Sequence, residues 1–365
     1  MSDVLQSRAD ARALYDAAVD AVEPAAAVRK ALTQEPIEGT PYVVALGKAA
    51  SAMAGAVREL GCAEGLIVTN MSNARPRPGY RVLVGDHPEP STGSLAGGDA
   101  LEHAFFEHDE LLVLVSGGAS AMVCAPAGGL DLHDIVKTTR LLMHRGVDIH
   151  DLNTVRRHLS RIKGGQALRE EHRVRALLLS DVLGNDPAAI GSGIAAPDKT
   201  TYRDALRVLD RHGLMGAVTP AVRAHLELGD AGAFADTPDA RDPRVAGVSV
   251  SIIASIDDAL VGAKEAAEAM GYRVVMLEDY ISGEARDAAS LIDAQTLPSG
   301  KVALIGGGET TVTVHGRGRG GRSQELALAY ARLRRHMPLE RSWTLLAAGT
   351  DGRDGPTDAA GGLVD

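Results

Sequence analysis

Apolar residues recur along the chain with two periods, one near 3.6 and one that reads as short unbroken runs. Leu14, Ala18 and Val22 share one helical face, predicting a helix over 8–22, and Pro24 suits the first turn of a second helix carrying Val28 and Leu32. The run 42–46 breaks at Gly47-Lys48 and yields to a helical pattern over 49–60, a strand–turn–helix unit. Further buried strands are expected at 66–69, 81–85, 111–115 and 176–179, with a helix at 132–144. Another helix is expected to start from a cap at Asn153 or Thr154, run to Ile162 and end at Gly164-Gly165. Arg156 and Lys163 lie seven apart and would share its face, as a solvated basic face or an anion site.

Over 226–245 the period disappears and Asp, Gly and Pro accumulate, so a linker is placed at 228–246. It divides an N-terminal α/β domain, 1–227, from a C-terminal domain, 247–365. The C-terminal pattern gives strand 248–254, helix 257–270, strand 272–277 and helix 283–293. Two strands flank Gly306-Gly307-Gly308-Glu309-Thr310, short enough to be antiparallel neighbours; helix 324–333 and a last strand at 343–347 follow.

Composition narrows the chemistry. At 365 residues, with 45% hydrophobic and 24% charged residues, the chain suits two soluble α/β domains. Its net charge of −10 argues against a broad nucleic-acid or anionic-membrane surface, leaving local basic clusters as pockets for small anions. Two cysteines, Cys62 and Cys124, give neither a disulfide framework nor a zinc spacing, and both read as buried small hydrophobes. No secretion signal is visible and the longest apolar stretch is too short for a bilayer span, so a cytoplasmic location is expected.

Seven glycines fall within 306–321, around Arg317 and Arg319 and followed by Arg322, suggesting bare backbone facing an anion, phosphate first. Gly316-x-Gly318-x-x-Gly321 matches the dinucleotide fingerprint formally, but its arginines and the lack of an acid about twenty residues on favour an anion clamp. Lys48 sits at a helix start, where a cation is unfavourable unless an anion binds too; the alternative is a solvated lysine. Ser116-Gly117-Gly118-Ala119-Ser120 follows a strand and offers backbone N–H groups to an anion, or is a plain turn. Asp181, just past a strand, is placed for catalysis or metal binding, or caps a turn. His87 either contacts substrate or belongs to a turn that Asp86 and Pro88 already explain. Asp351, Asp354 and Asp358 fall in a turn-rich stretch that could hold Mg2+ or form Asx turns.

Taken together, ALGKAASAM (45–53), VSGGASAM (115–122), LNTVRRHLSRIKGG (152–165), SDVLGNDPAAIGSGIAAPD (180–198), GGGETTVTV (306–314), GRGGRSQELAL (318–328) and AAGTDGRDGPTDAAG (347–361) resemble the glycerate 2-kinase family, whose C-terminal part is the MOFRL domain. The resemblance implies a larger Rossmann-like N-terminal domain with a mainly parallel sheet and a smaller C-terminal domain with a mixed sheet, the active site lying in a cleft between them. It implies transfer of phosphate from ATP, with Mg2+, to the 2-hydroxyl of D-glycerate, giving 2-phosphoglycerate, by a protein expected to form a homodimer. On that reading Lys48, Asp181 and Arg322 are catalytic, Asp181 as proton acceptor or metal ligand. Substrate and ATP would be held by Ser116, Gly117, Gly118, Ser120, Arg156, Gly307, Gly308, Glu309, Thr310, Gly320, Gly321, Gln324 and Glu325. Asp181, Asp351 and Asp354 are the metal candidates, with Glu309 also considered. Three positions depart from the family pattern: Ile256 stands in the usual Ser-Asn, and Leu183 and Asn185 replace the commoner Pro and Asp. Family members usually continue past the position of Asp365, so a shortened C-terminal domain is expected. The rival readings are an NAD(P)H-dependent hydroxypyruvate reductase and a non-catalytic nucleotide- or anion-binding relative.

Overall fold

The computed structural model describes residues 2–339 and 341–365. The chain folds as two compact units, one formed by Pro24–Ile253 and the other by the residues up to Glu23 together with Ala254–Asp365. Helix α1 (Ser2–Ala21) therefore belongs to the second unit, and α2 (Pro24–Gln34) opens the first.

The first unit continues with β1 (Tyr42–Leu46), α3 (Ala50–Glu59), β2 (Gly65–Thr69), β3 (Tyr80–Val84), α4 (Thr92–Glu107), β4 (Glu110–Val115) and the short α5 (Ala119–Met122). Then come α6 (Leu132–His144), α7 (Ile149–His158), β5 (Arg173–Leu179), α8 (Tyr202–Arg211), α9 (Pro220–Asp230) and β6 (Val248–Ala254). The sheet order is β3-β2-β1-β4-β5-β6, with parallel pairing from β3 through β5. After β3 the chain returns to pair β4 against β1, so the winding direction reverses between those two strands. Doubly wound sheets bind ligands at such a reversal, beyond the strands' carboxyl ends.

Both faces of this sheet are covered, which is why its strands read as apolar runs without alternation. Val44, Leu46, Leu66, Val68, Val113 and Val115 pack with Leu101 and Phe105 of α4 on one face. Val43, Ala45, Ile67, Leu112 and Leu114 pack with Met53 and Val57 of α3 on the other. A separate core joins α6, α7, α8 and α9 through Leu142, Val155, Tyr202, Leu209 and Leu226.

Two expectations are corrected here. Helix α7 is capped by Asp148, which accepts from the N–H groups of His150 and Asp151 at 2.9 and 3.0 Å; Asn153 and Thr154 lie inside it, and it ends at His158. The stretch 228–246 lies wholly in the first unit, and it includes a single-turn helix, Pro243–Val245. It also carries a buried side chain, Thr237, which donates to Asp198 Oδ2 at 3.0 Å.

The second unit adds α10 (Ile256–Ala269), β7 (Arg273–Met276), β8 (Ile281–Glu284), α11 (Ala285–Asp293), β9 (Val302–Ile305), β10 (Gly308–Thr311), α12 (Arg322–His336), β11 (Leu345–Ala348) and β12 (Gly361–Val364). Strand pairing is mixed: β7–β9 and β8–β10 are parallel, β11–β12 antiparallel. The strands flanking Gly306-Gly307 are thus not antiparallel neighbours, because each pairs with a different partner, and β11 is not the last strand. Leu14 and Ala18 of α1 join Ala263, Ala267 and Ile305 in this unit's core. Among the described residues no helix is long and apolar enough to cross a membrane.

Candidate active site

Strands β1 and β4 pair from Tyr42↔Leu111 to Leu46↔Val115 and so end level. The turns that follow them interlock: Ser116 N donates to Leu46 O at 2.9 Å, Lys48 N to Gly117 O at 2.9 Å, and Ala49 N to Ser116 Oγ at 3.0 Å. Gly47 has φ +104°, and a Cβ there would lie 2.3 Å from Ser116 O, so neither the torsion nor the space admits a side chain. From the other side, Asn73 Nδ2 donates to the Lys48 carbonyl at 2.9 Å, and Ser51 Oγ donates to Asn73 O at 2.9 Å. Lys48 is held just ahead of α3, whose first amides favour negative charge.

Asp181 leaves β5 and lies against the same turn. A Cβ on Gly117 would sit 2.4 Å from Asp181 Oδ2, so the missing side chain is what lets the carboxylate approach. His87, three residues past the end of β3, lies against Gly118, where a Cβ would meet its Cδ2 at 3.1 Å. Lys48, Ser116–Ser120 and Asp181 are therefore brought together, joined by His87, for which the sequence left substrate contact or a turn open. Its signal was its place beyond a parallel strand at the same sheet edge.

Ser120 is held from below. Its carbonyl accepts from Lys163 Nζ at 2.8 Å and Arg156 Nη2 at 3.1 Å, while Lys163 also donates to Val123 O at 3.2 Å. The two cations converge without sharing a helix face, because α7 stops at His158 and Lys163 arrives from the turn beyond. Ser160 Oγ shapes that turn by accepting the N–H groups of Ile162 and Lys163, each at 3.2 Å. The Ser120 hydroxyl is hydrogen-bonded to that of Ser192, which donates to Asn153 Oδ1 at 2.9 Å. Burial, then repulsion from Arg156, brings the Lys163 ammonium down to about 7; burial brings Arg156 down to about 10.

The remaining candidates lie on the second unit. At Gly306, Gly307 and Gly308 added Cβ atoms would strike Leu277, Ile256 and the Ile281 backbone at 2.2, 2.7 and 1.9 Å, although Gly306 and Gly308 are exposed. These three glycines leave no room for a side chain, whereas Gly318 and Gly320 face open space. Glu309 at the start of β10 is ion-paired with Arg322 at the start of α12, Thr310 is buried, and Glu325 lies 3.5 Å from Arg286. Asp354 caps α12, taking the N–H of Ser323 on Oδ1 at 3.0 Å and that of Gln324 on Oδ2 at 2.8 Å, and fills the space a side chain on Gly321 would need. Gln324 Nε2 donates to Thr357 Oγ1 at 3.0 Å, and Asp351 Oδ1 accepts from Arg353 N at 3.2 Å. Among the described residues no group of three or more His, Cys, Asp or Glu is gathered as a metal cage.

Strand order and site together define a doubly wound α/β protein with charged groups gathered at its winding reversal. Residues 10–227 match a domain of unknown function, DUF4147, and residues 302–365 match the MOFRL family. The chain is 37% identical to a glycerate 2-kinase of Pyrococcus horikoshii over 90% of its length and 76% of that protein's. It is 36% identical to a D-glycerate 2-kinase of Thermotoga maritima, over 95% of this chain and 83% of the other. The crystal structure of a glycerate kinase from Thermotoga maritima superposes with a TM-score of 0.81 at 33% identity, covering 98% of this chain and 86% of that one. The chain belongs to the MOFRL-containing glycerate 2-kinase family.

Proposed function

We infer that the protein is an ATP-dependent kinase that phosphorylates the 2-hydroxyl of D-glycerate, giving 2-phosphoglycerate and ADP. The observation that carries this reading is the meeting of the β1, β4 and β5 turns, with Lys48 and Asp181, in a chain more than one-third identical to glycerate 2-kinases. Phosphoryl transfer asks a protein mainly to position its partners and stabilise charge on the moving oxygens. The Ser116–Ser120 turn, braced by Arg156 through the Ser120 carbonyl, receives the glycerate carboxylate. Asp181 accepts the proton of the 2-hydroxyl as its oxygen bonds to the γ-phosphorus and the bond to the ADP oxygen breaks. Lys48 and Arg322 neutralise phosphate oxygens.

Mg2+ is usually held by one or two carboxylates plus substrate phosphates, not by an all-protein cage. Asp351 would hold it, Asp354 being committed to capping and Asp181 to the proton, and when bound it would offset charge on the phosphates. A homodimer and a cytoplasmic location complete the proposal.

The test is ADP release on a panel of small hydroxy acids, with the product's phosphate position read by phosphorus NMR. Glycerate-dependent ADP release with phosphate on the 2-oxygen is expected. NADH oxidation by hydroxypyruvate without ATP, or thermal stabilisation by Mg2+ and ATP without ADP release, would overturn it in favour of a reductase or a binding protein.

A further inference from the structure

Lys163 is 3% exposed, and among the described residues its ammonium donates to the carbonyl oxygens of Ser120 and Val123. Its neighbour Arg156 donates to the same Ser120 oxygen, and among the described residues no carboxylate pairs with either. The surrounding charges are matched: Arg157 is paired with Asp198, and Arg161 with Asp99 and Glu102. Cys124, the other titratable group facing the pair, has its thiol pushed up by burial and supplies no negative charge. An unpaired charge in a protein interior is expensive unless something offsets it. The cavity beside the pair is about 10 Å³, room for one water and not for a substrate. Lys163 must therefore act through Ser120 and not by touching a ligand.

We propose that Lys163 is a positioning residue of the hydroxy-acid site, which with Arg156 fixes the Ser120 carbonyl and takes up a proton from solvent when a carboxylate binds on the 116–120 turn. This rests on the assignment of that turn to the acid. Without a bound carboxylate, burial and then Arg156 favour the neutral amine above about pH 7. A bound carboxylate supplies the missing negative charge, so the ammonium becomes the favoured form.

Calorimetric titration of D-glycerate into the wild-type protein at pH 8, in buffers of different ionisation enthalpy, reads the proton directly. Uptake approaching one proton per glycerate is expected, falling to near zero in K163R, which stays charged yet still binds. In turnover, K163M should raise KM for glycerate about tenfold or more while KM for ATP stays within about twofold, with partial rescue in K163R. Proton uptake in K163R equal to wild type, or no uptake in wild type, overturns the proposal, as does a folded K163M with wild-type KM. Glycerate binding with proton uptake but no ADP release would instead overturn the kinase assignment alone. Absence of glycerate binding would sink both.

Discussion

Lys48 and Asp181 both reach the 116–120 turn because Gly47 and Gly117 leave no side chains in the way. In the proposed reaction Lys48 and Arg322 act on charge that grows as the phosphoryl group moves. Removing such a donor costs about 2–4 kcal/mol of barrier, roughly thirty- to a thousand-fold in kcat. Lys48→Ala and Arg322→Ala should each lose turnover on that scale, with far-UV dichroism and Tm essentially unchanged, since the exposed Arg322–Glu309 pair contributes little to stability. Near-normal kinetics in both variants would contradict the roles given to them. Lys48, Ser116–Ser120 and Asp181 were legible in the sequence because each stands just past an apolar run, where parallel strands deliver side chains to one edge. The convergence of Lys163 on Ser120 was not legible as it occurs: a seven-residue spacing suggested a shared helix face, but the helix stops and a turn makes the contact.

At the level of elements, reading failed where the partner lies far along the chain. Asp354 caps α12 from about thirty residues beyond the helix start, so no local pattern announces it, and its turn-rich surroundings suggested a metal site instead. Asp354→Ala should lower stability by about 0.5–2 kcal/mol, the usual range for losing a helix cap, measured by urea denaturation. No loss of stability would show that the helix start is held by other groups. Strand β8 escaped notice because Ile281-Ser282-Gly283-Glu284 has no alternation and Gly283 adopts φ +79°. The α7 start was misplaced by five residues or more because Asn153 and Thr154 have capping chemistry yet use it inside the helix, on Ser192 and the His150 carbonyl.

On the scale of the whole molecule, the strands of the larger sheet are legible as apolar runs, while their order and the pairing among the four-residue strands of the second unit are not. Stability should also depend on pH through the α7–α9 core. His158 Nδ1 is bonded to Thr154 O at 2.8 Å and His225 Nε2 to His158 O at 3.0 Å, and burial holds both rings below the usual imidazole value. A base with a lowered folded-state pKa stabilises fully above its unfolded value, near 6.5, and loses that contribution as pH falls through the folded value. The urea midpoint should therefore drop between pH 7 and pH 5, and the drop should shrink in His225→Gln; an unchanged slope would remove His225 from the effect. The packing of α1 on α10 bears on how the chain is made. A ribosome releases Leu14 and Ala18 first, yet their partners Ala263 and Ala267 emerge on the order of ten to fifty seconds later. Throughout that interval the apolar face of α1 waits uncovered while the strands of the larger sheet, β6 last, are still being made.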